Sequence, residues 1–165
     1  AAQALAPVRR CGWLPPPPRL VCLPTLFQDL FLQHADVVCA ECGQPPEQPA
    51  LCLLTGRVQC NLLQGCVEGR AGGLLHAAEH TAGTTLLLSL RSTKVVAVRG
   101  RRIAVCQSPY LDVHGEEDLD LRRGRPLRLD PTCYSQLGAL WAAHALDFDS
   151  HVLHCSRSDI ASLSP

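Results

Sequence analysis

The sequence predicts an α+β fold in which an antiparallel β-meander packs with two short helices. Three aliphatic runs, residues 84–90, 94–98 and 102–106, follow one another closely and are rich in Leu and Val. Short polar connections separate the runs, as is typical of sequential antiparallel strands. The meander is therefore the largest regular element that the sequence predicts.

Two helices are predicted, one on each side of the meander in the sequence. The first lies within residues 23–34, where Pro24 suits a first turn and apolar side chains recur at helical spacing. The second follows Asp130, whose carboxylate can cap a helix, with Pro131 in the first turn and helical spacing that continues through Trp141. We expect the second helix to pack on the meander.

Composition restricts the class of protein. Of the 165 residues, 47% are apolar and 18% are charged, which is typical of a globular chain. Fifteen basic residues balance fifteen acidic ones, so bulk charge favours neither a nucleic acid nor a membrane surface as partner. No apolar stretch is long enough to span a membrane, the sequence does not begin with Met, and we find no charged segment followed by an apolar one of the kind that forms a secretory signal peptide. We interpret the chain as a fragment from the end of a longer protein.

Four segments are expected along the chain. Residues 1–18 read as a leader or linker that ends in a run of prolines, which favours an extended conformation. Residues 19–83 contain the first helix and a segment rich in Cys and His. Residues 84–146 hold the meander, a long polar loop and the second helix, and residues 147–165 form a tail.

Cysteine and histidine spacing in residues 39–80 predicts a zinc site. Two residues separate Cys39 from Cys42, which places two thiolates on one tight turn, and His76 lies about one helical turn from His80. These four side chains can close a tetrahedral Zn²⁺ site. Because the segment is rich in Gly and Pro and lacks long apolar runs, we expect the metal to replace a hydrophobic core.

Two other uses of the cysteines are disfavoured. The ten cysteines would allow disulfides, but nothing in the sequence signals secretion, and a mixed Cys/His cluster is typical of zinc in a reducing compartment. A DNA-binding finger requires an interval of roughly twelve residues between its Cys and His pairs. The interval from Cys42 to His76 is far longer, and no basic recognition helix follows.

A zinc peptidase is the alternative function. His76, Glu79 and His80 match the inverted zincin pattern, in which two imidazoles hold zinc and the glutamate activates water. Glycines at 72–73 and 83 leave little room for the long helix that this chemistry requires. The pattern is also short, so a structural role is favoured.

A long polar loop, residues 109–129, precedes the second helix. Such loops in compact domains are usually functional or tightly held. Its carboxylates lie close in sequence to the arginines at 122, 123 and 125, and its glycines suit turns. We expect the loop to be tied to itself and to the meander; a mobile solvated loop, or a cation site in acidic residues 116–120, is the alternative. The predicted contact residues are Tyr110, Asp112, Gly115, Glu116, Asp118, Arg123 and Gly124.

A series of short motifs runs from about Arg19 to His144. The most specific motifs are Tyr-Leu-Asp at 110–112, Gly-Glu at 115–116 and Arg-Gly-x-Pro-Leu at 123–127. The others are residues 19–31, the Cys39 and Cys42 pair, residues 49–56, and the apolar positions from Tyr134 to Trp141. Together these motifs resemble the C-terminal region of UBR-type E3 ubiquitin ligases, the N-recognins of the N-degron pathway.

The resemblance implies a small zinc-bound module at the end of a very large ligase, where it is associated with autoinhibition. The full-length protein would be a RING-type aminoacyltransferase that recognises N-degrons and marks substrates for the proteasome, in the cytoplasm and also the nucleus. Its partners would be the remainder of the ligase chain, a ubiquitin-conjugating enzyme and N-degron substrates. Neither the UBR box nor the RING motif occurs in this sequence, so no catalytic residue is expected here.

Three cysteines of that family are replaced in this chain. Thr55 and Gly73 stand at cysteine positions and cannot bind zinc, whereas His80 stands at a cysteine position and can. One zinc site is therefore expected, built from Cys39, Cys42, His76 and His80. Cys60 is the expected exchange partner, and Cys52 and Cys66 are interpreted as remnants of a second site or as buried thiols.

Overall fold

A computed structural model gives the fold of residues 19–62, 66, 81, 83–99 and 102–148. Its largest element is an antiparallel sheet of five strands in the order β2-β1-β3-β4-β5. The strands are β1 (Ala50–Cys52), β2 (Val58–Gln59), β3 (Thr84–Ser89), β4 (Val95–Arg99) and β5 (Arg102–Cys106). The predicted α+β class and the meander of β3, β4 and β5 are confirmed.

The sheet is larger than the meander that the sequence predicts. Leu51 pairs with Val58 on one side and with Leu88 on the other, so β1 lies between β2 and β3. Two strands from the Cys-rich segment thus continue the meander as one sheet. The strand β2 has only two residues, which is too short for an alternating pattern to reveal it.

Both faces of the sheet are covered, which explains the continuous aliphatic runs. On one face, Leu86 and Leu88 pack in a cluster with Phe27 and Leu137 of the two helices. On the other face, Leu87 packs in a second cluster. A strand with one solvated face would alternate apolar and polar side chains, whereas a strand buried on both faces is apolar throughout.

Helix α1 (Phe27–Gln33) begins later than the sequence suggests. Pro24 does not lie in its first turn, because Leu26 is still extended and forms a β-bridge with Arg128. The backbone carbonyl of Pro24 instead accepts a hydrogen bond from the buried Tyr110 hydroxyl at 2.9 Å. The ring of Tyr110 packs edge-on against Phe27, with centroids 5.2 Å apart.

Helix α2 (Pro131–Ala142) has the predicted cap and first-turn proline. One carboxylate oxygen of Asp130 accepts hydrogen bonds from the backbone N–H groups of Thr132 and Cys133, both at 2.8 Å. A short 3₁₀ turn (Ala145–Asp147) follows. No helix in the described part of the chain is both long and apolar enough to cross a membrane.

Residues 19–26 form an extended strap that crosses the domain. The N–H of Val21 donates to the carbonyl of Leu53 at 2.8 Å, and the carbonyl of Val21 accepts from the Tyr134 hydroxyl at 2.6 Å. Burial raises the pKa of both Tyr110 and Tyr134. Both hydroxyls are thus protonated well beyond neutral pH, and both donate to carbonyls of the strap.

The polar loop lies between β6 (Tyr110–Leu111) and β7 (Arg128–Leu129), which pair with each other. Its first half is organised by Asp112. One oxygen of that carboxylate accepts from the N–H groups of His114 and Glu116, at 2.8 and 3.0 Å. The other oxygen lies 3.2 Å from a guanidinium nitrogen of Arg125 and 3.7 Å from one of Arg123.

The second half of the loop is organised by Asp118. Its two carboxylate oxygens accept from the N–H groups of Arg122 and Arg123, at 3.0 and 2.8 Å. Its backbone carbonyl accepts from the Thr93 hydroxyl at 3.3 Å, beside an ion pair of 3.0 Å between Lys94 and Asp120. These contacts attach the loop to the turn between β3 and β4.

The remaining predicted loop residues hold turns or a surface ion pair. Glu116 pairs with the guanidinium of Arg123. Gly115 and Gly124 have φ angles of 76° and 63°, a region that favours glycine because it lacks a Cβ atom. The protection of this loop from hydrogen exchange stays a prediction.

Replacing Asp130 tests how much the N-terminal cap of α2 contributes to the free energy of unfolding. Asp130→Ala should lower the free energy of unfolding by about 0.5–2 kcal/mol, because two backbone N–H groups lose their acceptor. Asp130→Asn should retain most of the stability, since its amide oxygen can accept the same bonds. Urea denaturation followed by circular dichroism measures the difference, and equal losses in both variants would contradict the capping role.

Acid denaturation tests the carboxylate of Asp112. The N–H of Glu116 is the largest cause that lowers the pKa of Asp112 below its usual value of 3.8, and His114 and Arg125 add to it. The ionised form therefore stabilises the fold above that value, and this stabilisation is lost as the pH falls through the lowered pKa. Asp112→Asn should flatten the acid limb of a plot of unfolding free energy against pH. The exposed Asp36→Asn is the control, and a flattening of equal size in it would contradict this assignment.

Candidate metal centre

The first half of the centre is a tight turn at residues 39–43. The N–H of Gly43 donates to the carbonyl of Cys39 at 2.9 Å, and Gly43 has a φ of 70°, which favours glycine. The N–H of Glu41 lies 3.4 Å from the Cys39 sulfur. The turn thus aims an amide hydrogen at one sulfur, as turns that carry metal-bound thiolates do.

The second half of the centre is attached to the edge of the sheet. The N–H of Ala40 donates to the carbonyl of Val58 in β2 at 2.8 Å. Cys60 follows β2 directly, so this bond brings the turn beside it. The sulfur of Cys42 then lies 3.5 Å from that of Cys60, and the sulfur of Cys39 lies 4.0 Å from that of Cys66.

The four sulfur atoms form one compact group. Those of Cys39, Cys42, Cys60 and Cys66 all lie within 4.8 Å of one another, and the four thiols are free. A zinc–sulfur bond of about 2.3 Å in a tetrahedron places the sulfurs about 3.8 Å apart. A disulfide would bring two of them to about 2.05 Å. The arrangement therefore suits a four-coordinate metal ion and is too open for a disulfide.

The thiols of this group differ in pKa because they lie so close together. Burial raises the pKa of Cys39, but N–H groups of Cys42 and Glu41 outweigh it and lower that pKa to about 7. Burial and hydrogen bonds to Cys42 and Cys39 raise the pKa of Cys60, and the same causes raise the pKa of Cys66. One thiolate therefore suppresses ionisation of its neighbours, and a cation among them would reverse that effect.

The structure brings together some of the residues that the sequence singles out. Cys39 and Cys42 lie in the group together with Cys60, the expected exchange partner, and with Cys66, which was interpreted as a remnant of a second site or a buried thiol but is exposed. Cys52 lies outside it, buried in β1 with its sulfur 3.3 Å from the Thr85 hydroxyl. His76, Glu79 and His80 lie outside the described residues, so a ligand role for the two histidines stays a prediction.

Comparison with known proteins identifies the family. The family model for the Proteolysis_6 C-terminal region matches residues 12–143. Over 131 residues the chain is 38% identical to the E3 ubiquitin-protein ligase ubr3 of Danio rerio, covering 79% of this chain and 7% of that protein. It is 38% identical over 137 residues to the E3 ubiquitin-protein ligase PRT6 of Arabidopsis thaliana, covering 83% of this chain and 7% of that protein.

A third relative is also an E3 ubiquitin-protein ligase by name. The chain is 33% identical over 134 residues to the E3 ubiquitin-protein ligase UBR1 of Homo sapiens, covering 77% of this chain and 8% of that protein. The chain thus spans less than a tenth of the length of each of these relatives. It belongs to the Proteolysis_6 C-terminal family, the C-terminal region of UBR-type E3 ubiquitin ligases.

Proposed function

We propose that Cys39, Cys42, Cys60 and Cys66 bind one zinc ion whose role is structural. The observation that carries this proposal is the approach of all four sulfurs to within 4.8 Å of one another. Four thiolates are a soft, tetrahedral donor set, which favours Zn²⁺ over oxygen-seeking cations such as Mg²⁺ or Ca²⁺. The four sulfurs complete the coordination, so neither His76 nor His80 is needed.

A closed site of this kind stabilises structure and does not catalyse. Catalytic zinc keeps one position for water or substrate, whereas four protein ligands leave none. The bound ion would fasten the turn at 39–43 to the end of β2, in addition to the hydrogen bond from the N–H of Ala40 to the carbonyl of Val58. The peptidase alternative has no support, since the relatives named above are all ubiquitin ligases by name.

The zinc-bound module is proposed to act within a longer E3 ubiquitin ligase. In that protein it would shape and regulate an enzyme that recognises N-degrons and directs substrates to the proteasome in the cytoplasm and nucleus. The conjugating enzyme and the substrates would bind elsewhere on the full-length chain. Family membership and the small share of each relative that the chain covers support this division of roles.

Zinc content separates the two possible ligand sets. Native mass spectrometry of the reduced chain should show one zinc ion, and Cys60→Ser or Cys66→Ser should each lower zinc occupancy to well below half, since a thiolate ligand is lost. The double variant His76→Ala with His80→Ala should keep the ion. The control Cys22→Ser, at an exposed thiol outside the group, should also keep it. Zinc lost from the histidine variant and retained in Cys66→Ser would instead support a Cys₂His₂ site.

Regulation can be tested in the full-length protein that contains this chain. Cys66→Ser should change the rate at which that protein ubiquitinates a reporter with an N-degron, because the module that shapes the enzyme is weakened. Its affinity for the N-terminal peptide of the reporter should stay within about twofold of wild type, since peptide binding is assigned elsewhere. An unchanged rate in a variant shown to lack zinc would contradict the regulatory role.

A further inference from the structure

An apolar groove lies on the side of the domain formed by α1, the turn after β3 and the polar loop. Its volume is about 510 Å³. Phe27 and Leu90 line it and are almost completely buried, at 3% and 1% exposed. Leu32 of α1, which also lines it, is 69% exposed. A groove of this size with a buried floor and exposed apolar walls is typical of a binding site.

The far wall of the groove depends on an unfavourable backbone conformation. Leu121 lines the groove, is 39% exposed and has a φ of 57°. Residues with a side chain rarely adopt such an angle, and they keep it only where their surroundings enforce it. Here Asp118 enforces it, since its carboxylate accepts from the N–H groups of Arg122 and Arg123 and its carbonyl accepts from the N–H of Leu121. The fold thus presents an apolar side chain at the rim at a cost in free energy.

One cation at the groove has no side-chain partner among the residues that the structure describes. Arg91 lines it and is exposed, and no hydrogen bond or ion pair joins its guanidinium to any other residue in the part of the chain that the structure describes. The other two charged groups in the wall are satisfied within the loop: Arg125 lies 3.2 Å from Asp112, and Asp118 accepts backbone N–H groups. The groove therefore offers one free positive charge beside apolar walls, which suits an acidic, partly apolar peptide.

We infer that this groove binds a short acidic segment with apolar side chains that is supplied by another part of the same ligase chain. The inference rests on the proposed function, because it takes the domain to be part of a longer ligase. The matched region is only 7% of the ubr3 protein, so most of such a chain lies outside the domain. A tethered segment binds at high effective concentration and needs only a modest intrinsic affinity.

Photo-cross-linking in the full-length protein tests this inference. A photoreactive p-benzoylphenylalanine is introduced in place of Leu32, and in place of Val113 as a control, because Val113 is 73% exposed and does not line the groove. The Leu32 position should give cross-links within one polypeptide, to a segment that contains Asp or Glu beside apolar residues. The Val113 position should not reach that segment.

Charge substitutions in the same cross-linking protein identify the contact. Arg91→Glu should lower the yield of this cross-link at least fivefold, because like charges then face each other across the contact. Arg91→Lys should keep most of the yield, and Arg19→Glu, an exposed charge outside the groove, should not change it. Zinc content measured in each variant separates loss of docking from loss of the fold.

Several results would overturn the inference. Cross-links from position 32 only to a second copy or to another protein would show that the occupant is not part of the same chain. Equal yields from positions 32 and 113, or no effect of Arg91→Glu in a zinc-loaded protein, would contradict the groove as the site. A protein that gives the intramolecular cross-link but ubiquitinates nothing would contradict the proposed function and leave the docking site supported.

Discussion

Four sulfur atoms within 4.8 Å of one another impose the main constraint on this domain. Thiolates at such distances repel, and their ionisation is suppressed until a cation lies between them. The turn that carries Cys39 and the two-residue strand β2 are both short, although Cys39, Val58 and Gln59 are buried. A cation bound to the four sulfurs would add to the backbone pairing with β1 that holds β2 at the edge of the sheet.

A second constraint is the burial of polar groups around the strap at residues 19–26. An extended segment that crosses a domain exposes backbone carbonyls which must find donors when buried. Tyr110 and Tyr134 provide two of them, to Pro24 and Val21. Their rings fill apolar space at the same time. Each tyrosine thus satisfies a backbone carbonyl and contributes to the core, and a phenylalanine at either position would leave that carbonyl without this donor.

The regular elements could be predicted from sequence where their signals are local. The cap of α2 depends on Asp130 and its next three residues, and the meander depends on consecutive aliphatic runs. The start of α1 could not be predicted, because Leu26 stays extended through a bridge to Arg128, which is distant in sequence. A local pattern cannot reveal a partner a hundred positions away.

The candidate metal centre shows the same limit. Cys39 and Cys42 are recognisable because their spacing itself defines a turn. Cys60 and Cys66 have no such spacing, and Cys60 reaches the turn only because β2 pairs with β1 and the Val58 carbonyl accepts the N–H of Ala40. The sequence feature that could have indicated this pairing is Gly56, which lies in the turn between β1 and β2. Its φ of 72° favours glycine.

The metal centre and the apolar groove are connected through the sheet. Leu90, in the floor of the groove, donates its N–H to the carbonyl of Pro49 at 2.8 Å, and Pro49 immediately precedes β1. Strand β1 in turn pairs with β2, which leads to Cys60. Paired strands and backbone hydrogen bonds thus join the end of β2, where Cys60 follows, to the floor of the groove. Because protein interiors are closely packed, these segments share one continuous framework.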